Sequence, residues 1–366
     1  MPRVKVSLGK RSYSIVVGSG ISRSLASELK KITGDSRVFV IYDAQVYALY
    51  ARHFSRALRD FSKRVEFVVP SGEKSKSLTQ LKGIYDFLLS EKISRSDVIV
   101  AVGGGVVSDL VGYAAATTLR GVRWAAIATT LLGMVDAAIG GKTSVNHAQG
   151  KNLIGAFWQP SLVWCDTDYV LTLPTRQLAS GLGEVLKYAG LMGGAILGHF
   201  SDFMRKGDFY DTIRIRRMVT SAVSYKANLV SIDETDAGRR MLLNFGHTFG
   251  HAIEHGSGYR YYHGEALALG IDAACRLSNM AGVSRKGALD SYNLAVDALL
   301  AGLPRFKVDL QRALVALAVD KKRSGLRQKF ILLQTPGKPI IVENLGLTLI
   351  RKSLERTLCE RRLIGN

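Results

Sequence analysis

Between Leu242 and Gly264 the chain reads LLNFGHTFGHAIEHGSGYRYYHG and carries four of its seven histidines, His247, His251, His255 and His263. Neutral imidazoles are good nitrogen donors to zinc, and a catalytic zinc takes three protein donors and keeps a fourth position for substrate. Asn244, His247 and His251 stand at i, i+3 and i+7, with Arg240 one turn earlier. A helix through this stretch would line all four along one face. His263 follows His251 by twelve residues, beyond the segment GSGYRYY, far enough for the chain to reverse and present a further donor. Upstream, GLGEVLKYA at 181–189 supplies a lone carboxylate, Glu184. Two imidazoles with that carboxylate would form a metal centre open to substrate. Plainer roles compete. His255 abuts Gly256 and suits the closing turn of a helix, and Glu184 with Lys187 has the spacing of an ordinary helical ion pair, about 0.2–0.5 kcal/mol.

A second chemical signal lies earlier. Asp97–Val102 reads DVIVAV, a β-branched apolar run that empties into Gly103, Gly104 and Gly105 before the helical pattern VVSDLVGYAAATTL. Strand, glycine turn and helix in that order bring backbone N–H groups and a positive helix end toward a pyrophosphate. The spacing departs from G-x-G-x-x-G, because Ser108 stands where a third glycine would.

The elements that must hold these groups follow from periodicity. Apolar runs at Arg37–Tyr42, Val65–Val69, Asp97–Val102, Trp124–Thr129 and Leu162–Cys165 alternate with helical patterns near 21–33, 45–60, 76–91 and 106–117. That alternation predicts a Rossmann-like α/β domain with a parallel sheet, whose ligands sit at the carboxyl ends of the strands. Asp43, directly after VFVIY, is placed there and suits ribose hydroxyls. Val4–Leu8 and Tyr13–Val17 read as a hairpin through Gly9 and Lys10. From about residue 176 strand signals vanish, except FILL at 330–333, and helical periodicity dominates. Pro174 marks the change. Two domains are expected: 1–175, α/β and cofactor-binding, and 176–366, mostly α-helical, holding metal and substrate groups.

The 366 residues, 47% hydrophobic, suffice for two cores. No apolar run reaches the length of a membrane span, and MPRVKVSLGKRSYS has no hydrophobic stretch before a cleavage site. Cys165, Cys275 and Cys359 are too few and too scattered for a disulfide framework or thiolate zinc site, which points to a reducing cytoplasm. Fifty Lys and Arg against thirty Asp and Glu give +20. The clusters KRSGLRQK and ERRL are short and lack interleaved aromatics, so the charge suits a solvated face or steering of an anionic substrate rather than nucleic acid.

Val135–Ala156, VDAAIGGKTSVNHAQGKNLIGA, carries too many glycines and polar residues for a core element and is expected as an ordered loop. Asp136, Lys142, Lys151 and Asn152 are its candidate ligand contacts, lysines near an anion suiting phosphate or carboxylate. A solvated loop with ordinary lysines is the alternative.

Taken together, GGGVVSDLVGYAAATTLRG, ATTLLGMVDAAIGGKTSVNHAQGKNLIGAFWQP, LPTRQLASGLGEVLKYA, LNFGHTFGHAIE and YYHGEALALG resemble the 3-dehydroquinate synthase family in order and spacing, from about Asp43 to Lys322. The resemblance implies a dehydroquinate synthase-like fold and zinc, with cobalt able to substitute, on Glu184, His247 and His263. It implies NAD contacts from Asp43, Glu73, Lys76, Gly104, Gly105, Val106, Asp109, Thr129, Thr130, Lys142, Lys151 and Thr172. Substrate contacts implied in the same way are Asp136, Lys142, Asn152, Lys187, Lys226, Arg240, Asn244, His251 and one of Lys321 or Lys322, with Arg120 reaching across a homodimer. Gln45, Ser108 and Gln177 depart from the family's usual Asn, Gly and Glu, two of them in the cofactor half.

What the resemblance further implies is conversion of 3-deoxy-D-arabino-heptulosonate 7-phosphate, a small phosphorylated sugar acid, to 3-dehydroquinate and phosphate in the shikimate route to aromatic amino acids. NAD would be recycled, and no nucleic acid or membrane is involved. Another sugar-phosphate cyclase, or a metal-dependent polyol dehydrogenase, shares the architecture and stays open at this point.

Overall fold

The computed structural model describes residues 2–61, 63–323 and 329–364, the side chains of 319–323 excepted. The chain divides into two compact units, Met1–Leu173 with Lys226–Thr235, and Pro174–Tyr225 with Asp236–Asn366. The sequence boundary between 175 and 176 lies beside the division at Leu173 and Pro174. A cut at one point does not describe Lys226–Thr235, which groups with the first unit.

The first unit contains β1 (Arg3–Val6), β2 (Tyr13–Gly18), α1 (Leu25–Thr33), β3 (Val38–Asp43), α2 (Ala44–Ala57), β4 (Arg64–Val69), α3 (Leu78–Ser90), β5 (Val98–Gly103), α4 (Gly105–Thr117), β6 (Arg123–Ala128), β7 (Lys142–His147), β8 (Gly150–Phe157) and β9 (Leu162–Asp166). Seven strands form one sheet in the order β1-β2-β9-β6-β5-β3-β4. All pair in parallel except β1, which runs antiparallel to β2. All six residues of β5 are buried, as expected of a strand covered on both faces. The chain leaves β3 for β4 on one side and returns to β5 on the other. The carboxyl ends of β3 and β5 therefore flank a topological switch point, the place where such sheets take ligands. Asp43 ends β3 and Gly103 ends β5.

One expectation is corrected. Val135–Ala156 is not a loop: a π-helical turn at Gly133–Ala137 leads into the antiparallel hairpin β7/β8, with a register shift between Val145 and His147. Thr143, Ser144 and Val145 are buried in succession, so the hairpin lacks the alternation that marks a half-exposed strand. It is held by packing on α4, where a Cβ at Gly112 would stand 2.4 Å from Thr143 Cγ2.

The second unit is helical: α5 (Thr175–Met192), α6 (Gly194–Lys206), the first part of α7 (Thr212–Ile232), α8 (His247–Gly256), α9 (His263–Met280), α10 (Asp290–Ala301), α11 (Leu310–Arg323) and α12 (Leu347–Glu360). The FILL segment lies in β10 (Lys329–Leu333), which pairs with a strand the periodicity did not announce, β11 (Pro339–Glu343). Every residue of α9 from Gly264 to Cys275 is buried, making it the central helix of this unit, with α5, α8 and α12 packed around it. Among the described residues, no helix is long and apolar enough to cross a membrane.

Candidate metal and cofactor sites

In the second unit the metal candidates are brought together by a backbone contact. A Cβ on Gly183 would lie 2.0 Å from Gly264 O, and one on Gly264 would lie 1.7 Å from Ser180 O. Only glycines allow α5 and the start of α9 to touch there. Glu184 and His263 are the residues next to that contact. Gly264 N donates to Ser180 Oγ at 3.0 Å. Arg176 donates to both oxygens of Glu265 at 2.8 and 2.6 Å, and Tyr262 N donates to Glu265 at 2.8 Å, fixing the first turn of α9. His247 opens α8 after Gly246, whose φ of +79° is a left-handed value that breaks the chain direction.

Three donors converge. Glu184 is fully buried, with Oε1 3.2 Å from His263 Nε2 and 3.5 Å from His247 Nε2. Lys187 Nζ stands 2.5 Å from Oε2 as a charge contact, yet Oε2 makes no hydrogen bond. Burial drives the Glu184 carboxyl upward. The charge of Lys187 and bonds from both imidazoles outweigh it, leaving the group well below the ordinary carboxylate range and ionised. Burial lowers His247, favouring the neutral ring that ligates metal. Burial also acts downward on His263, but hydrogen bonds to Glu184 and Glu254 push it up to about 10. The two carboxylates thus favour positive charge at this ring, and a metal ion competes with its proton. The donor atoms of Glu184, His247 and His263 lie within 4.8 Å of one another. An ionised carboxylate and two imidazoles converging within this span fit a divalent zinc- or cobalt-type ion with a position left open.

The helical face expected through Arg240, Asn244, His247 and His251 is interrupted. Arg240 and Asn244 lie in a separate 3-10 turn, Arg239–Asn244, and the break at Gly246 precedes α8. His247 and His251 do share α8, their rings 5.6 Å apart, and His255 sits in its last turn. Arg240 and Lys187 are buried, 2% and 1% exposed, while Asn244 and His251 are exposed. The side chains of Lys321 and Lys322 lie outside the described residues. Glu254, 3.2 Å from His263 Nδ1 and buried, was not singled out by the sequence.

The first unit assembles most cofactor candidates around the switch point. Asp43 is the N-cap of α2: its Oδ1 accepts from Gln45 N at 2.9 Å, Val46 N at 3.2 Å and Ser71 Oγ at 2.5 Å. Gln45, one of the departures, thus takes part through its backbone. Ser108 is buried in α4, and Gln177 lies in the first turn of α5. Gly104 leaves α4 without a side-chain cap, so first-turn N–H groups face an anion position. A Cβ on Gly104 would meet Thr130 Cγ2 at 2.9 Å. Gly105 and Val106 open that helix, and Thr129 Oγ1 is buried without a hydrogen-bond partner. An uncapped helix end, a cradle too tight for a side chain and an orphaned hydroxyl fit a dinucleotide.

Around this cradle, buried Lys76 donates to Asp109 and to Asn152. Burial raises Asp109 to about 6 against the pull of Lys76. Asn146 joins Glu73 (2.6 Å) to the backbone of Asn152 (3.0 Å), a bridging residue missed by sequence reasoning because an Asn in a polar segment carries no signal. Thr172 Oγ1 meets Tyr50 OH at 2.8 Å. Lys226 donates to Asp136 Oδ1 at 2.6 Å, an ion pair within the first unit. Lys142, Lys151 and Arg120 are exposed, Arg120 with φ of +64°.

Comparisons with known proteins match these elements. Residues 66–180 match the family model described as 3-dehydroquinate synthase N-terminal, and residues 181–323 the one described as 3-dehydroquinate synthase C-terminal. The 3-dehydroquinate synthase of Cereibacter sphaeroides is 38% identical over 368 aligned positions, covering 98% of this chain and 99% of that one. The solved structure of ValA, a 2-epi-5-epi-valiolone synthase from Streptomyces hygroscopicus subsp. jinggangensis with NAD+ and Zn2+ bound, matches with a TM-score of 0.83 at 27% identity, covering 97% of this chain and 99% of that one. A 2-deoxy-scyllo-inosose synthase complexed with carbaglucose-6-phosphate, NAD+ and Co2+ matches in fold, with a TM-score of 0.89 at 23% identity, covering 97% and 100%.

Proposed function

We propose, from the premise that the chain belongs to the 3-dehydroquinate synthase family, that it converts 3-deoxy-D-arabino-heptulosonate 7-phosphate to 3-dehydroquinate and inorganic phosphate. The observation that carries the reading is the convergence of Glu184, His247 and His263 in a chain that matches the family from 66 to 323. The full-length relative acts under that name at 38% identity, whereas the sister cyclases match at 23% and 27%. This favours the heptulosonate substrate over the sister cyclases' substrates.

When bound, NAD supplies a reversible hydride acceptor and the divalent metal a Lewis acid for vicinal hydroxyls. Glu184, His247 and His263 hold the metal. The α4 turn at Gly104, Gly105 and Val106 takes the NAD pyrophosphate, with Asp43 on the ribose and Glu73, Lys76, Asp109, Thr129, Thr130, Lys142, Lys151 and Thr172 completing its site. In the first unit Lys142 and Asn152 bind substrate oxygens, with Lys226 positioned by Asp136. In the second, Arg240, Asn244 and His251 bind the substrate and Lys187 supplies positive charge beside Glu184, with Lys322 as a further cation. Charge-assisted bonds of this kind fix a phosphate so that its own oxygen accepts the proton removed during elimination. Ring opening and aldol closure then require orientation rather than a further catalyst. The enzyme is accordingly a phosphate-eliminating lyase, acting as a cytoplasmic homodimer to which Arg120 contributes across the interface.

The test is phosphate release and NADH absorbance followed together, with substoichiometric NAD+ and excess heptulosonate phosphate. Phosphate should rise far beyond the cofactor concentration while NADH stays near zero. Equimolar NADH build-up, or no phosphate, would falsify the reading and favour a polyol dehydrogenase or a sister cyclase.

A further inference from the structure

A metal-binding imidazole needs its other nitrogen held. His263 presents Nε2 to Glu184 at 3.2 Å, and its Nδ1 stands 3.2 Å from Glu254 Oε1. Glu254 is 5% exposed and lies on α8, one helical turn beyond His251, while His263 opens α9. The ring is therefore clamped between carboxylates on two helices: Glu184 from α5 on one edge and Glu254 from α8 on the other. A buried carboxylate at hydrogen-bond distance from Nδ1 selects the Nδ1–H tautomer, which leaves the Nε2 lone pair free for metal.

We infer that Glu254 is a positioning residue of the metal site, accepting the Nδ1 proton of His263 and fixing both the tautomer and the direction of its Nε2 donor. The inference rests on the metal reading of Glu184, His247 and His263. Another arrangement is visible on the same residues: His251, Glu254 and His263 also offer donor atoms within 4.8 Å of one another, with Glu254 then a ligand in its own right. The deeper set is favoured because Glu184 is fully buried and reaches both His247 and His263, whereas His251 is exposed. In that set Glu254 acts through His263 and never touches the ion.

Glu254→Gln keeps the shape and an accepting oxygen but drops the charge; Glu254→Leu drops both. Zinc and cobalt affinities would be read by competition with a chromogenic chelator, alongside the cobalt absorption envelope and the melting curve of each metal-free variant. Loss of such an outer partner typically weakens metal binding about 10–100-fold. The expected result is a fall of that order for Glu254→Gln, a larger one for Glu254→Leu, and a shifted cobalt spectrum. A Glu254→Gln variant that melts like the wild type and binds both metals with unchanged affinity and spectrum overturns the inference. Should neither variant fold, nitrogen NMR of metal-loaded wild-type protein decides: His263 bound through Nε2 and protonated at Nδ1 supports the role, and the reverse refutes it. A wild-type chain without metal affinity would instead overturn the metal reading and this inference with it.

Discussion

Gly264→Ala tests whether a backbone contact sets the metal site. The new methyl would stand 1.7 Å from Ser180 O, and the next nearest atoms, at 2.5 and 2.8 Å, are also Ser180 backbone. No side chain can rotate out of the way, so α5 and α9 must part by more than 1 Å to regain ordinary contact distance. Overpacking of this kind costs about 1–3 kcal/mol, and with backbone on both sides the upper end is expected. At roughly 2–4 °C per kcal/mol for a domain of this size, the melting temperature of the metal-free protein should fall by about 6–12 °C. Because Gly183 and Gly264 adjoin Glu184 and His263, the same displacement pulls two donors apart. A misplacement near 1 Å commonly costs on the order of 100-fold in rate. Calorimetry, chelator competition and kcat/KM on the same preparation read these effects. Gly198→Ala on α6 is the control of opposite sign. Nothing lies within 4 Å of its added methyl, so it should stabilise by up to about 1 kcal/mol through helix propensity alone. A Gly264→Ala protein with wild-type melting temperature and metal affinity would refute the argument.

Arg240→Ala should keep metal and NAD binding, and Lys142→Ala, whose lysine also serves the NAD site, should keep metal; each should lose kcat/KM at saturating NAD, since a charge-assisted bond to phosphate is worth about 1.5–3 kcal/mol, or roughly one to two decades; unchanged kinetics in both would remove them from the phosphate site. Thr129→Val should raise the melting temperature of NAD-free protein slightly, because a buried hydroxyl without a partner is costly, and should weaken NAD in a titration; unaltered NAD affinity would dissociate Thr129 from the cofactor. Burial pushes the Glu28 carboxyl up, but bonds from Lys31 and Arg3 overcome it and leave the folded group below its unfolded value of 4.5. Its contribution is therefore present above that value and lost as the solution becomes more acidic, so Glu28→Gln should flatten the acid limb of the melting-temperature profile, and a limb of unchanged slope would count against the pairing.

The α/β half was legible because its central strands β3, β5, β6 and β9 are buried on both faces and read as nearly unbroken apolar runs, with Asp43 and the glycine turn at the ends of β3 and β5. Hairpin β7/β8 was not. Thr143, Ser144 and Val145 are buried in sequence rather than alternately, and the polar residues Glu73, Lys76, Asp109, Asn146 and Asn152 hold the hairpin to the rest of its unit. Composition registers Asn146 and Asn152 as loop, because the bonds that satisfy them reach Glu73 and Lys76, far away in sequence. The pairing of β10 with β11 has a similar cause: PIIVE is half-exposed and follows a turn of Gly and Pro, leaving FILL as the only strong signal.

At the proposed metal site the informative residues are the neighbours of the candidate ligands as much as the candidates themselves. Glu184 follows Gly183, His247 follows Gly246 and His263 precedes Gly264. Each glycine adjoins backbone or a core side chain: Gly183 and Gly264 touch at the α5–α9 crossing, and a Cβ on Gly246 would lie 2.5 Å from Ile271 on α9. Gly270 completes the pattern, since its Cβ would lie 2.3 Å from Gly246 O. The three helices that carry the converging donors thus meet at glycines, whose missing side chains allow backbone to approach backbone. Glycine beside each of the three widely spaced candidate ligands is a sequence feature that accompanies their convergence, and on the proposed reading it makes the helix crossing as necessary to metal affinity as the donor atoms.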